Sequence, residues 1–176
     1  MLGLDKNKVI LVPYSKDWTE EFQAEKKRLH ALLGDTALAI EHVGSTAIPG
    51  ISAKPILDVA VAVKTTDVLK DLIPILSDNG YDVMDAIETK GEIVARKGPP
   101  EARTHYVHVE VIDSVFWNNH IVFRDYLLAH PEVVKEYEQL KQKMFEKYKD
   151  DRKKYTAAKK QFIQSVLETA QSVKQR

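Results

Sequence analysis

A glycine-serine turn and a carboxylate that follows it on a strand are the residues of this chain best suited to chemistry. Gly44 and Ser45 interrupt an apolar segment, and Asp58 comes thirteen positions after the serine, within the run from Ile56 to Val63. Glycine lets a backbone approach a ligand closely, and consecutive loop amides beside a hydroxyl form a cradle for phosphate. Together with a carboxylate that can hold a cation, this pattern indicates a site for a phosphorylated ligand.

The alternation of the strand shows what surrounds Asp58. Side chains of a strand point to opposite faces in turn, so Leu57 and the valines after it form one apolar face. Asp58 shares the other face with Ala60 and Ala62, whose small side chains leave space above the sheet. A half-buried carboxylate is costly unless it is paired, hydrogen-bonded or bound to a cation. Asp58 is therefore expected to have a partner.

A second strand offers candidate partners. In residues 104–112 the valines alternate with Tyr106, His108 and Glu110. If this strand lies beside that of Asp58, the polar side chains converge on one patch. We then interpret Asp58, His108 and Glu110 as candidate catalytic residues, the histidine assisting a proton transfer, and Asp58 and Glu110 as candidate metal ligands. In the alternative, Asp58 only bonds loop amides while His108 and Glu110 face solvent.

Basic residues near these segments are candidates for contact with phosphate. Arginine holds phosphate through two parallel hydrogen bonds, which makes it the better clamp. Arg124 stands out because it lies on a predicted amphipathic helix among residues that face the sheet. The predicted phosphate-binding set is Gly44, Ser45, Thr46, Lys54 and Arg124.

Other charged residues have simpler interpretations. Arg96, Lys97 and Arg103 are treated mainly as surface charges. The lysine-rich run from residue 141 to residue 160 is balanced by acids and is interpreted as a solvated face. His42 and His105 are expected to be hydrogen-bonded structural residues.

Hydrophobic periodicity predicts an α/β (α+β) chain in a single domain over residues 1–176, with a sheet and flanking helices. Asp17 followed by Glu20 predicts a capping box for the first helix, which Gly34 ends. A helix from Thr66 or Asp67 runs to about Ser77, and a helical hairpin closes the chain. Strands are predicted at 9–14, 37–43, 56–63, 81–85, 92–97 and 104–112, and late helices from 114, at 131–148 and at 152–173.

Composition narrows the function classes. The 176 residues carry 26 basic and 26 acidic side chains and no cysteine. Zero net charge argues against an extended nucleic-acid surface, and the absence of cysteine leaves any metal to carboxylates, histidines and water, which favours Mg²⁺. The chain has no apolar run of bilayer length and no signal-peptide core, so we expect a cytoplasmic protein that does not bind a membrane. P-loop, dinucleotide, zincin and esterase motifs are also missing.

Longer segments resemble a known family. The run Glu41 to Gly50 (EHVGSTAIPG) with Ala53 to Asp58 (AKPILD) is similar to the hallmark segment of GrpB-like proteins, which are placed in the nucleotidyltransferase superfamily. Thr104 to Val109 resembles the histidine-bearing strand of that family, and Phe123 to Leu127 with His130-Pro131 resembles its helical signature. The resemblance covers nearly the whole chain.

The resemblance implies a nucleotidyltransferase-like fold with a mixed β-sheet, and it leaves more than one function open. In the superfamily a Gly-Ser loop holds triphosphate oxygens, while an Asp-x-Asp pair and a third carboxylate bind two divalent ions. This chain has Ala60 where the second Asp is expected, so Glu110, His108 or Glu41 would have to supply the missing group. The expectations are a Mg²⁺-dependent transferase acting on a nucleoside triphosphate and a small acceptor, or a non-catalytic module that binds a nucleotide, coenzyme A or another phosphorylated small molecule. A third alternative is an interaction protein with a vestigial pocket.

Overall fold

The computed structural model describes residues 2–174, with the side chains of residues 89, 90, 173 and 174 left aside. Short 3₁₀ turns at Gly34–Thr36 and Ser45–Ala47 flank the first strand. The strands are β1 (Ala39–Val43), β2 (Leu57–Val63), β3 (Asp82–Ala86), β4 (Glu92–Lys97) and β5 (His105–Val111). The helices are α1 (Asp17–Leu33), α2 (Thr66–Asp78), α3 (Ile87–Lys90), α4 (Val115–Ala129), α5 (Pro131–Tyr148), α6 (Arg152–Ala158) and α7 (Lys160–Lys174).

The strands form one mixed sheet in the order β1-β2-β5-β4-β3. β2 and β5 are parallel, and every other neighbouring pair is antiparallel. The predicted mixed α/β fold is confirmed. The register places Asp58 opposite Tyr106, Ala60 opposite His108 and Ala62 opposite Glu110, so the two strands that carry the candidate residues are neighbours.

The two faces of the sheet differ in character. Helices α1 and α2 cover one face, where fully buried residues such as Leu57, Val61, Val109 and Leu69 form the largest apolar cluster. Helix α4 lies on the other face, and α5, α6 and α7 extend from it as a further layer. Because Asp58, His108 and Glu110 belong to this second face, the C-terminal helices close over them. Among residues 2–174, no helix has the length and apolar character needed to cross a membrane.

Three local predictions differ from the structure. Residues 9–14, predicted as a strand or edge segment, make a single bridge, between Val12 and Ala53, in place of a strand. Asp17 is the first residue of α1 rather than its cap, and its amide donates to Ser15 Oγ at 3.3 Å. The final helix is broken at Lys159, so that α6 contacts α5 while α7 contacts α4.

We predict that Leu69→Ala lowers the free energy of unfolding by about 2 to 5 kcal/mol, because it opens a cavity in the main core. Leu69 has no exposed surface, whereas Leu128, also on a helix, is 49% exposed. Leu128→Ala is the matched control and is expected to change stability by less than about 0.5 kcal/mol. Urea unfolding of both variants measures the difference, and equal effects would contradict this assignment of the core.

Candidate functional site

A cavity of about 560 Å³ lies between the second face of the sheet and the C-terminal helices. Asp58, Tyr106 and His108 line it from β2 and β5, and the turn from Gly44 to Thr46 lines it from the end of β1. Helices α4, α5, α6 and α7 supply the opposite wall. The volume is within the range of pockets that enclose small-molecule ligands.

The turn after β1 packs directly on the Asp58 carboxylate. Gly44 has φ 71° and ψ −171°, a conformation that is essentially restricted to glycine. A Cβ at this position would lie 2.5 Å from Asp58 Oδ2. Ser45 faces the cavity, and its hydroxyl donates to the Tyr137 hydroxyl at 3.5 Å. The glycine therefore brings the loop backbone and the carboxylate together at one end of the cavity.

His108 stands between two carboxylates. Its Nε2 lies 3.9 Å from Asp58 Oδ1, and its Nδ1 lies 3.7 Å from Glu92 Oε2. Burial acts to lower the pKa of His108, but the neighbouring carboxylates Asp58, Glu92 and Glu110 outweigh burial and raise that pKa to about 9. Burial likewise acts to raise the pKa of Asp58, while His108 and Lys54 bring it below the ordinary value. Asp58 and His108 thus stabilise each other as an anion and a cation.

Glu110 lies apart from Asp58. The register offsets the two residues by four positions, which is about 13 Å along the strand, with His108 between them. Glu110 has no exposed surface and contacts His120 of α4, whose Nδ1 is 3.2 Å from Oε1 and 3.3 Å from Oε2. The rings of His108 and His120 are 4.9 Å apart. The structure therefore brings Asp58 and His108 together on one side, and His108, Glu110 and His120 on the other.

His120 was missed by the sequence analysis, although the helix carries a signal for it. Arg124 was expected to face the sheet, and His120 and Trp117 precede it by four and seven residues. Residues at this spacing share one face of a helix. A histidine on the sheet-facing side of α4 was therefore predictable, but the strand residue it would meet was not.

The cavity is rich in lysine. Burial, with help from Lys159 and Arg152, lowers the pKa of Lys54 to about 7. Lys141 is 1% exposed and donates to the Ser52 carbonyl, and burial lowers its pKa to about 8 although Glu138 lies 3.0 Å away. Lys159 and Lys160 also line the cavity. The prediction of a solvated face over residues 141–160 is wrong at Lys141, because α5 buries this side chain against Ser52, whereas Lys160 is exposed.

Arg124 and Thr46 both contact β1 and support the loop; Thr46 lines the cavity, whereas Arg124 does not. The Arg124 guanidinium binds Glu41 Oε2 at 2.6 Å and the His42 carbonyl at 3.1 Å. Thr46 is 2% exposed, and its hydroxyl is 2.9 Å from His42 Nε2. Arg124 thus fixes β1, and the Glu41 side chain, considered as a replacement for the missing carboxylate, is already paired with it.

The remaining charged residues of the sequence analysis lie away from the cavity. His42 stacks on Phe22, and His105 contacts the Thr104 hydroxyl; burial lowers the pKa of each histidine to about 4. Acidic residues pair with the basic residues of β4 and the loop after it. These pairs are Lys97 with Glu25, and Arg96 and Arg103 with Asp82.

Ala60 stands where the resemblance described in the sequence analysis leads us to expect a second carboxylate. It is fully buried and packs in an apolar cluster with Val43, Ala62 and Trp117. An aspartate there would bring a charge into this cluster, which is costly without a counter-ion. The residues around Asp58 therefore do not fit a pair of magnesium ions held by an Asp-x-Asp motif.

A family model described as GrpB protein matches residues 8–169. The chain belongs to the GrpB family. This GrpB chain is 43% identical over 171 residues to the glutamate-rich protein GrpB of Alkalihalophilus pseudofirmus, with 95% of this chain and 98% of that protein covered. It matches the crystal structure of the conserved protein GrpB from Enterococcus faecalis with a TM-score of 0.86 and 32% identity, over 95% of this chain and all of that one. The resemblance to this family is confirmed.

A weaker similarity extends to Cid1 in complex with the UTP analog UMPNPP. The TM-score is 0.45 and the identity 15%, over 74% of this GrpB chain and 43% of that chain. Similarity at this level carries no argument about activity.

We predict that Gly44→Ala destabilises the protein more than Gly34→Ala does. Both glycines have positive φ, 71° and 52°, with ψ values of −171° and −138° that lie outside the left-handed helical region, so each alanine should cost about 1 to 3 kcal/mol. Of these two glycines, Gly44 alone has atoms within 4 Å of the added Cβ, and they belong to the Asp58 side chain. Thermal and urea unfolding of the two variants compare them, and equal losses of stability would argue against close packing of the loop on Asp58.

We also predict a pH dependence that Lys54→Met removes. The pKa of Lys54 is about 7 in the folded chain against an ordinary value of 10.5, so within this window the unfolded chain binds more protons and stability rises with pH. The gain in unfolding free energy from Lys54→Met should be greatest below pH 7 and shrink as the pH approaches 10. Urea unfolding across the window tests this, with exposed Lys64→Met as control. Parallel pH profiles for wild type and Lys54→Met would contradict burial of the ammonium group.

Proposed function

We propose that this protein binds a nucleoside triphosphate in the cavity and transfers its nucleotidyl group to a small acceptor. The observation that carries the proposal is the packing of the Gly44-Ser45 turn on Asp58 inside a lysine-lined cavity. Loop amides and lysines suit phosphate oxygens, and a carboxylate suits a cation bound to them. The sequence resemblance to the nucleotidyltransferase superfamily points to the same class.

The lining of the cavity suits both parts of a nucleotide: apolar side chains for the base, and polar and basic side chains for the phosphates. Phe116, Phe123, Ile163 and Leu167 give the helical wall an apolar surface on which a base can pack. Ser45 and Lys54 lie at the sheet end, beside Asp58. A phosphate placed there would meet the Ser45 hydroxyl and favour the charged form of Lys54. Binding would thus offset the cost of burying an ammonium group.

The reaction is displacement at the α-phosphorus. A hydroxyl oxygen of the acceptor forms the new bond to phosphorus and loses its proton to solvent, the bond from phosphorus to the bridging oxygen breaks, and pyrophosphate leaves with the electron pair of that bond. Lys54 and the loop would hold the phosphate oxygens in line with the acceptor. Mg²⁺ usually binds through one or two carboxylates together with phosphate oxygens of its ligand, so Asp58 alone fits a single ion carried by the triphosphate. Such an ion would neutralise charge on the phosphates.

A second candidate is a module that binds a nucleotide or coenzyme A without turnover. Ala60 favours it, because the position of the second metal-binding carboxylate is an apolar, fully buried methyl group. Coenzyme A carries an adenine nucleotide and phosphates, so the same cavity chemistry applies to it. The two candidates share the binding step and differ in the release of pyrophosphate.

We predict that a nucleoside triphosphate with Mg²⁺ raises the melting temperature of the wild type, since a ligand that binds only the folded chain stabilises it. Lys54→Met should weaken this binding about ten- to hundredfold, because a charge-assisted hydrogen bond is worth about 1.5 to 3 kcal/mol. Thermal shift across the common nucleoside triphosphates, coenzyme A and dephospho-coenzyme A identifies the ligand. Isothermal titration then gives the affinities, with Lys64→Met as the matched control.

Pyrophosphate release with a panel of small acceptors separates the two functions. Release that requires Mg²⁺ and is abolished in Asp58→Ala supports the transferase. Tight binding without release supports the non-catalytic module. If no compound of the panel changes the melting temperature of the wild type, both proposals are wrong and the cavity serves another ligand.

A further inference from the structure

We propose that His108, Glu110 and His120 bind a divalent transition-metal ion of the zinc type. Each of the three side chains offers one ligand atom, and these atoms all lie within 4.8 Å of one another. His108 and Glu110 come from β5 and His120 comes from α4, so two packed elements position the set. This site is separate from the Asp58 carboxylate, and the inference does not rest on the proposed nucleotide function.

The Glu110 carboxylate is the strongest indication that a cation binds here. Glu110 has no exposed surface, and its Oε1 has no hydrogen-bond partner among the described residues. His120 Nδ1 is 3.2 Å from that atom, but its hydrogen bond is directed to Oε2. A buried carboxylate oxygen without a donor is costly. A metal ion between Glu110 and the two imidazoles would satisfy it.

The chemistry of the three ligands selects the kind of ion. Mg²⁺ prefers oxygen ligands, whereas two imidazole nitrogens and one carboxylate suit zinc and its neighbours in the first transition row. Two ligand atoms of a tetrahedral site of this kind are about 3.4 Å apart, since each bond is about 2.1 Å. Rotations of the side chains would close the remaining distance on binding. At Glu110 we therefore propose this nitrogen-rich site in place of the Mg²⁺ expected from the sequence.

Carboxylates lie next to both nitrogens of His108. Asp58 lies 3.9 Å from Nε2, and Glu92 lies 3.7 Å from Nδ1. The ion would displace the proton that His108 carries beside Asp58, and whichever nitrogen binds the ion, the other faces a carboxylate. Carboxylate, histidine and metal in this order are the usual surroundings of a metal-bound histidine, because the outer carboxylate orients the ring and increases its basicity.

The site opens toward the cavity. His108 and His120 line the cavity, and their side chains are 22% and 32% exposed, while Glu110 lies behind them. Three protein ligands with a fourth position open to a pocket are typical of catalytic zinc sites, whereas structural zinc sites are closed by four. The fourth position would therefore hold water or a ligand in the cavity.

The test is titration of the metal-stripped wild-type protein with Zn²⁺, and with Co²⁺ as a spectroscopic substitute, without any nucleotide. We expect one equivalent to bind, with a visible ligand-field band of Co²⁺ that excess Mg²⁺ does not remove. His120→Ala should weaken binding at least about tenfold, because one of three ligands is lost. His30→Ala is the matched control: His30 is an exposed helical histidine, and its loss should leave binding unchanged.

A second variant separates loss of the ligand from loss of the fold. Glu110→Gln supplies an amide donor in place of the unsatisfied oxygen, so the metal-free variant should melt no lower than the metal-free wild type, and Zn²⁺ should no longer raise its melting temperature. The proposal is overturned if the wild type binds neither ion, if both variants bind as tightly as the wild type, or if Mg²⁺ competes equally with Zn²⁺. None of these outcomes bears on whether a nucleoside triphosphate binds.

Discussion

The charge on one face of the central sheet is the constraint on which the rest of the site depends. Asp58, Glu92 and Glu110 project from three adjacent strands onto the face that also carries the apolar cluster of Ala60, Ala62 and Trp117. Buried carboxylates of this kind need positive partners. His108 stands among all three, and its raised pKa is the direct result. Helix α4 brings His120 to Glu110, the most deeply buried of the three carboxylates. The position of this helix is therefore linked to the charges on the sheet.

The loop after β1 contacts this charged face where the backbone of Gly44 packs on the Asp58 carboxylate. The turn can lie against Asp58 because Gly44 has no side chain. Arg124 fixes the preceding strand through Glu41 and the His42 carbonyl. The C-terminal helices then close the cavity and turn several lysines into it. Positive charge from the helices and negative charge from the sheet thus meet across one enclosed space, although the whole chain has no net charge.

Ala60 divides this face into two parts with different chemistry. Toward β1, Ala60 and Ala62 form an apolar cluster with Val43 and Trp117. Toward β4, His108 and Glu110 keep nitrogen and oxygen ligands close to His120. Asp58 lies against the glycine-serine turn, whereas Glu110 lies four positions further along the sheet, beside His120. The nucleotide proposal concerns the region of Asp58, and the metal proposal concerns His108, Glu110 and His120.

The sequence by itself determined what local periodicity can encode: most strands and helices, the small residues beside Asp58, and the polar side of β5. These follow from alternation within a strand and from turn chemistry. Only the tertiary structure decided the rest, because it depends on contacts between residues far apart in the chain. Strand register separates Glu110 from Asp58, and the docking of α4 brings His120 to Glu110. The packing of α5 buries Lys141, although the lysine-rich composition of its segment had predicted a solvated face.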